Sequence, residues 1–238
     1  MWPCCGRRFR CRGRRRGFGG DGLREGLEEP RIGVPVLRAQ LFKTIGNDPE
    51  LIRKVMESKA VGLVELSSVA AGFLVTDTML KTAQVDLLLN RTICSGKYMI
   101  LVGGDVAAVT ASVEAGIASG GVSVIDYCLI PNIDLNVFPA ISGNMVIQSF
   151  DALGVLEAFS VAALIEGADA AVKAANVQLI EIRLAMALGG KAFARLTGNV
   201  AAVQAAVDAG AAVIAERGLL VNKVVIPAPV KEIFGETL

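Results

Sequence analysis

Five cysteines, one matched pair of glutamates and two matched Asp/Lys pairs are the side chains with chemistry in reach, and no histidine accompanies them in 238 residues. Without the group that titrates near neutral pH, Ser-His-Asp and Cys-His hydrolysis, His-ligated zinc or copper and facial-triad iron chemistry are excluded. Cys4, Cys5 and Cys11 lack the paired C-x-x-C spacing of a zinc site. Cys128 lies in an apolar run, where a cysteine serves as a small hydrophobe. Cys94 is set apart by its turn-like surroundings, Thr92-Ile-Cys-Ser-Gly-Lys97, although one cysteine alone is a poor metal site. Glu65 and Glu157 could be imagined as a catalytic pair, but their recurrence in a repeated pattern points to a shared structural duty, such as accepting backbone N–H groups. Asp77 with Lys81 and Asp169 with Lys173 are spaced i, i+4, the spacing of helix-surface ion pairs worth about 0.2–0.5 kcal/mol. Gly103-Gly-Asp105 reads as a turn and helix cap, since no G-x-G-x-x-G accompanies it.

The elements that position these residues are duplicated. Residues 60–87 laid on 152–179 match at twelve of twenty-eight positions; after a two-residue insertion, 96–116 on 190–210 match at eleven of twenty-one. A period above ninety residues is too long for a solenoid unit, so each copy is a small domain with its own core. The boundaries follow as an extension over 1–58, a first domain with its linker over 59–143 and a second domain over 144–238. Each copy reads β-α-β-β-α-β. In the first, strands fall at 61–66, 85–90, 98–102 and 122–130, with one helix over 68–83. The second helix shows its face in Val106, Val109, Val113 and Ile117 behind Asp105 as cap; Val200, Val203, Val207 and Ala211 repeat it behind Asn199. Such a unit is an α+β sandwich, ferredoxin-like, with helices on one face of an antiparallel sheet. Pro131 to Gly143, punctuated by Pro and Gly, reads as a linker.

Composition narrows the class. With 53% hydrophobic and 20% charged residues the duplicated part is globular, and Asp77, Asp86, Glu114, Asp134 and Asp208 interrupt every apolar stretch before it reaches a membrane span. No membrane partner is expected. No apolar run follows the Arg-rich start, so cytoplasmic residence is the expectation, with free or metal-bound cysteines rather than disulfides. The first twenty residues hold seven arginines, five glycines and no acid, a composition that buries no core. A solvated tail is the default reading; a nucleic-acid arm, with Arg on phosphates and Phe on bases, is the sharper one. Asp48-Pro49-Glu50 before Leu51, Ile52, Val55 and Met56 predicts a short capped helix near 48–58.

The recurring pattern Gly62-x-x-Glu65-x-x-Ser68, then Lys81-x-Ala83-x-Val85, then Gly96-Lys97 and Gly104-Asp105-Val106-x-x-Val109, with its second copy, resembles the bacterial microcompartment (BMC) shell domain. Two in one chain is similar to the tandem-domain, trimeric shell proteins. Thr92 to Lys97, Phe138-Pro-Ala-Ile-Ser-Gly143 and Gly218-Leu-Leu-Val221 before Val225-Ile-Pro227 resemble their propanediol-utilisation T-type branch. The resemblance spans about residues 60–230.

It implies a structural role and no enzyme: a homotrimeric, pseudohexameric tile in a microcompartment shell of the bacterial cytoplasm, partnered by other shell proteins and by encapsulated redox enzymes. Loops of Cys94, Ser95 and Gly96 and of Leu188, Gly189 and Gly190 would alternate around a central pore. Lys81 and Lys173 would stand at the tile edge. Cys94 occurs once per chain, because Leu188 holds its place in the second copy, so a threefold axis would gather three thiolates able to hold a [4Fe–4S] cluster for electron transfer or cluster delivery. Pro227-Ala-Pro229 lacks the arginine that related tiles carry between these prolines. The alternative from another class is a regulatory or small-molecule-binding protein of two ferredoxin-like modules, with the Arg-rich tail as nucleic-acid arm.

Overall fold

The computed structural model describes residues 57–141, 147, 151–185 and 188–234. The Arg-rich tail, its three cysteines and the boundary at 143/144 lie outside these residues, as does the helix expected near 48–58 apart from Glu57 and Ser58.

Copy 1 runs β1 (Ala60–Leu66), α1 (Val69–Thr82), β2 (Asp86–Ile93), β3 (Lys97–Gly104), α2 (Val106–Gly120) and β4 (Val124–Pro131). A short helix, α3 (Val137–Ile141), follows. Copy 2 repeats the series as β5 (Ala152–Ala158), α4 (Val161–Ala174), β6 (Gln178–Arg183), β7 (Ala192–Gly198), α5 (Val200–Glu216) and β8 (Leu220–Ile226). Each copy holds a four-stranded sheet, ordered β2-β3-β1-β4 and β6-β7-β5-β8, with every pairing antiparallel. Irregularities recur at the same places, Glu65/Leu66 with Glu157/Ala158 and Leu87/Leu89 with Leu179/Glu181.

The helices begin where side chains satisfy their first N–H groups. Ser68, Asp105, Ser160 and Asn199 accept from Ala71, Ala107, Ala163 and Ala202 respectively. Glycines let helix and strand approach: a Cβ on Gly62 would lie 2.3 Å from Val113, and one on Gly154 would lie 2.7 Å from Val207. The α2 helix, continued through the turn to Ser123, is long and apolar enough to cross a membrane, but its Val109, Ser112, Val113 and Gly116 are buried, and it packs on β1 as the covering layer of the sheet.

Two expectations need correcting. Strand β2 continues to Ile93 instead of ending near 90, because its pairing with β3 persists to Ile93 opposite Lys97. That extension delivers Cys94 directly from a strand end. The segment read as a linker folds in part into α3, whose Val137, Phe138, Pro139 and Ala140 are buried. Asp134 starts it, accepting the Asn136 N–H at 2.9 Å, and a proline within the first turn costs no helical hydrogen bond. Its counterpart in copy 2 is the 3-10 turn Lys231–Phe234, with buried Phe234.

Candidate functional site

Alternation along β1 splits the first sheet into two faces. Ala60, Val64 and Leu66 pack with Val75, Met79, Val109 and Val113 of the copy's own helices. Val61, Leu63, Met99, Leu101, Cys128 and Ile130 join instead a cluster with Ala162, Ile165, Ala168 and Val172 from α4 of the second copy. The copies are therefore joined by a helix of one lying on the far sheet face of the other.

Polar groups fix that joint. Glu65, fully buried, takes the Lys97 ammonium on Oε1 at 2.9 Å and the Val161 N–H at the start of α4 on Oε2 at 3.0 Å. A carboxylate at a helix N-terminus is favoured by the orphan N–H groups and the dipole there. Asp126 accepts the Ser160 hydroxyl and the Arg217 guanidinium, which also donates to the Tyr127 carbonyl at 2.8 Å and pairs with Glu166 at 2.8 Å. Asp169 accepts the Asp134 N–H at 2.8 Å and the Lys173 ammonium at 2.5 Å. Burial holds the Asp169 carboxyl above its ordinary range, against those two bonds.

The two turns singled out in the sequence meet at one end of this joint. The Cys94 N–H donates to the Ala185 carbonyl at 2.8 Å. A Cβ on Gly190 would lie 3.6 Å from the Lys97 Nζ and 3.7 Å from the Ser95 Oγ. Ser95, Gly96, Gly189 and Gly190 all take positive φ (66°, 72°, 61° and 89°), which makes both connections tight. Cys94 is half-buried in its 3-10 turn, while Ser95 and Gly96 are exposed. Neither Cys94 nor Cys128 is in a disulfide. Burial, then the Glu166 charge, pushes the Cys128 thiol far up, so it stays a neutral core group.

Among the described residues no three Cys, Asp or Glu side chains of one chain come together as a metal site. Lys81 and Lys173 both form the i, i+4 pairs read from their spacing, at 2.6 Å and 2.5 Å. The helices α1 and α4 carry them in their last turns.

Sequence reasoning missed the Arg217 fork and the Asp134 bond. The signal for the fork is divergence between copies, since Asp126 stands where copy 2 has Asn222, and Arg217 lies where the passage from helix to strand is two residues longer than in copy 1, which there has Gly121-Val-Ser123.

Two sheets with helices on one face, repeated in tandem and nested helix on sheet, define a chain of duplicated shell-protein domains. The BMC domain family matches at residues 60–133 and again at 152–229, and the chain belongs to that family. It is 43% identical over 172 residues to the bacterial microcompartment shell protein PduT of Citrobacter freundii, a span covering 72% of this chain and 94% of that one. The shell protein EutM of Salmonella typhimurium is 47% identical over 79 residues, 33% of this chain and 80% of EutM. A crystal structure of a microcompartment protein from Desulfitobacterium hafniense has 48% identity and a TM-score of 0.67, covering 73% of this chain and 97% of that one. A fused permuted hexameric shell protein of the RMM microcompartment shares the fold at 20% identity and a TM-score of 0.52, over 71% and 92% of the two chains.

Proposed function

We propose that this chain is a structural tile of a bacterial microcompartment shell, residing in the bacterial cytoplasm, in which three copies close into a ring of six alike domains. One observation carries the reading. In α4 the residues facing copy 1 are covered, with Ile165 at 0% and Val172 at 1% exposure; in α1 their counterparts Phe73 and Leu80 are 63% and 38% exposed. On the receiving side, Val155, Phe193 and Val224 stand where copy 1 buries Leu63, Met99 and Cys128, and all three keep solvent contact. The chain uses one helix-on-sheet joint and offers both halves of a second, a heterologous contact that closes into a ring when the rotation permits. Two domains per chain make three chains the count for a sixfold-like ring.

In that ring the 94–96 and 188–190 turns surround the axis and set what passes. The three Cys94 thiolates hold a [4Fe–4S] cluster there, with one iron left to a ligand from outside the protein. The placement of a single cysteine at a strand end, in a turn open to solvent, supports this assignment. When bound, such a cluster supplies one-electron transfer across the shell or is passed to redox enzymes inside. Other shell proteins meet the tile along edges that carry Lys81 and Lys173. The role is structural, with no enzymatic step.

Sedimentation or mass photometry of the full chain tests the ring: a species of about 75 kDa is expected, three times 24.9 kDa. A chain that stays single at micromolar concentration overturns it. Anaerobically purified protein should be brown, with an EPR signal on reduction, and Cys94→Ala should lose colour and iron while keeping the trimer. Iron that survives Cys94→Ala but vanishes when Cys4, Cys5 and Cys11 are replaced refutes the axial cluster. RNA bound by discrete single chains would favour the regulatory reading.

A further inference from the structure

Within the chain, Glu65 fastens the start of α4 while its other oxygen holds Lys97, which in turn covers Gly190. Copy 2 holds the same parts, half of them unengaged. Glu157 binds Lys191 through Oε1 at 2.5 Å, and its second oxygen has no partner among the described residues. The Val69 N–H opens α1 as Val161 opens α4, and it too has no partner there. Gly96 matches Gly190, yet a Cβ on Gly96 would meet nothing within 4 Å. An acceptor, a donor and an uncovered turn are thus left over at the three positions that copy 1 and copy 2 satisfy between them.

We infer that Glu157 closes the ring: its free oxygen accepts the Val69 N–H of the next copy of this chain, and Lys191 lies over that copy's Gly96. The inference rests on the cyclic reading above and assigns its closing residue. The occupant is a second copy because this chain already shows the mating surface in its own first domain. Charge agrees, since the Glu157 carboxylate meets the positive end of a helix. Lys191 would then flank the axial turns of the neighbour, as Lys97 flanks Gly190.

The test compares wild type, Glu157→Ala and Glu157→Gln by the concentration at which the ring dissociates. Loss of an acceptor for a buried N–H should raise that dissociation constant about tenfold or more per joint in Glu157→Ala. Glu157→Gln, which keeps an acceptor, should fall between the two. A Glu157→Ala ring as tight as wild type overturns this assignment while leaving the ring itself standing; a wild-type chain that never associates removes both. Should Glu157→Ala fold poorly, hydrogen exchange on wild type decides: the Val69 amide becomes protected on going from dilute single chains to rings, and equal exchange in both states overturns the inference.

Discussion

The joint inside the chain and the surfaces the chain leaves open use corresponding strand faces and helices, but their chemistry differs. Inside, Arg217 forks between Asp126 and Glu166, and Ser160 reaches Asp126 as well. At the matching positions of the offered joint stand Asn222, Leu74 and Ser68, and the shorter passage through Gly121-Val-Ser123 carries no arginine, so the fork is gone and an apolar Leu74 replaces a charge. Phe73 and Leu74 are the most exposed large apolar residues of α1, at 63% and 60%. The copies have therefore diverged: the joint within the chain is held by ions, while the surfaces left over present apolar side chains and one carboxylate. In the proposed ring this would enforce alternation of the copies, because the carboxylate that pairs with Arg217 stands only on a first-copy sheet.

Breaking the fork should have the largest effect. Arg217→Ala leaves Asp126, with only 9% of its side chain exposed, without its cation, and should cost the single chain about 2–4 kcal/mol in urea unfolding. Asn222→Asp at the offered joint should change the same measurement by less than about 0.5 kcal/mol. Next come the helix crossings. A Cβ on Gly210 would lie 2.5 Å from the Gly167 carbonyl oxygen, whereas one on Gly116 would meet the flexible Met79 side chain at 2.8 Å. Gly210→Ala should cost about 1–3 kcal/mol of stability, while Gly116→Ala, helped by helix propensity, should be near neutral. Among the caps, Ser160→Ala should cost more than the roughly 1 kcal/mol of Ser68→Ala, because Ser160 also serves Asp126. Equal losses would show that the fork does not depend on the cap.

The smallest effect concerns pH. The Asp169 carboxyl is raised by burial, so its contribution to stability is complete below the unfolded pKa and is lost as pH climbs through the folded one. Asp169→Asn, which cannot ionise, should gain on wild type as pH rises from about 4 upward. Thermal midpoints across that range check it, and a gap that shrinks with rising pH would contradict the assigned cause.

The sequence showed most clearly what is governed locally. Asp105 and Asn199 cap their helices as read, because capping needs only a side-chain oxygen and the next few N–H groups; Ser68 and Ser160 do the same for α1 and α4. The singular place of Cys94 was visible as a divergence between copies. What escaped was set by long-range packing. The α3 helix was hidden behind its Pro and Gly, although Phe138 follows Pro131 at the same interval at which Phe234 follows Pro227. Arg217 reaches Asp126 across ninety-one positions, a contact no local rule anticipates. Nor did alternation in β1 reveal its second covering, since seven buried residues in a row blend an inward face with an inter-domain one.

The α3 helix packs on β6 and α4 of copy 2, whereas Phe234 of the matching turn joins Leu153 and Ile180 of its own copy. The two copies are joined covalently only through the stretch between Ile141 and Asp151. Severed there and produced from two separate messages, the halves should find each other through the Glu65 and Arg217 contacts and rebuild the same surface. The covalent thread would then act only as a stoichiometry device, ensuring one half of each kind, and the tile could be engineered as a two-part kit whose halves carry different cargo.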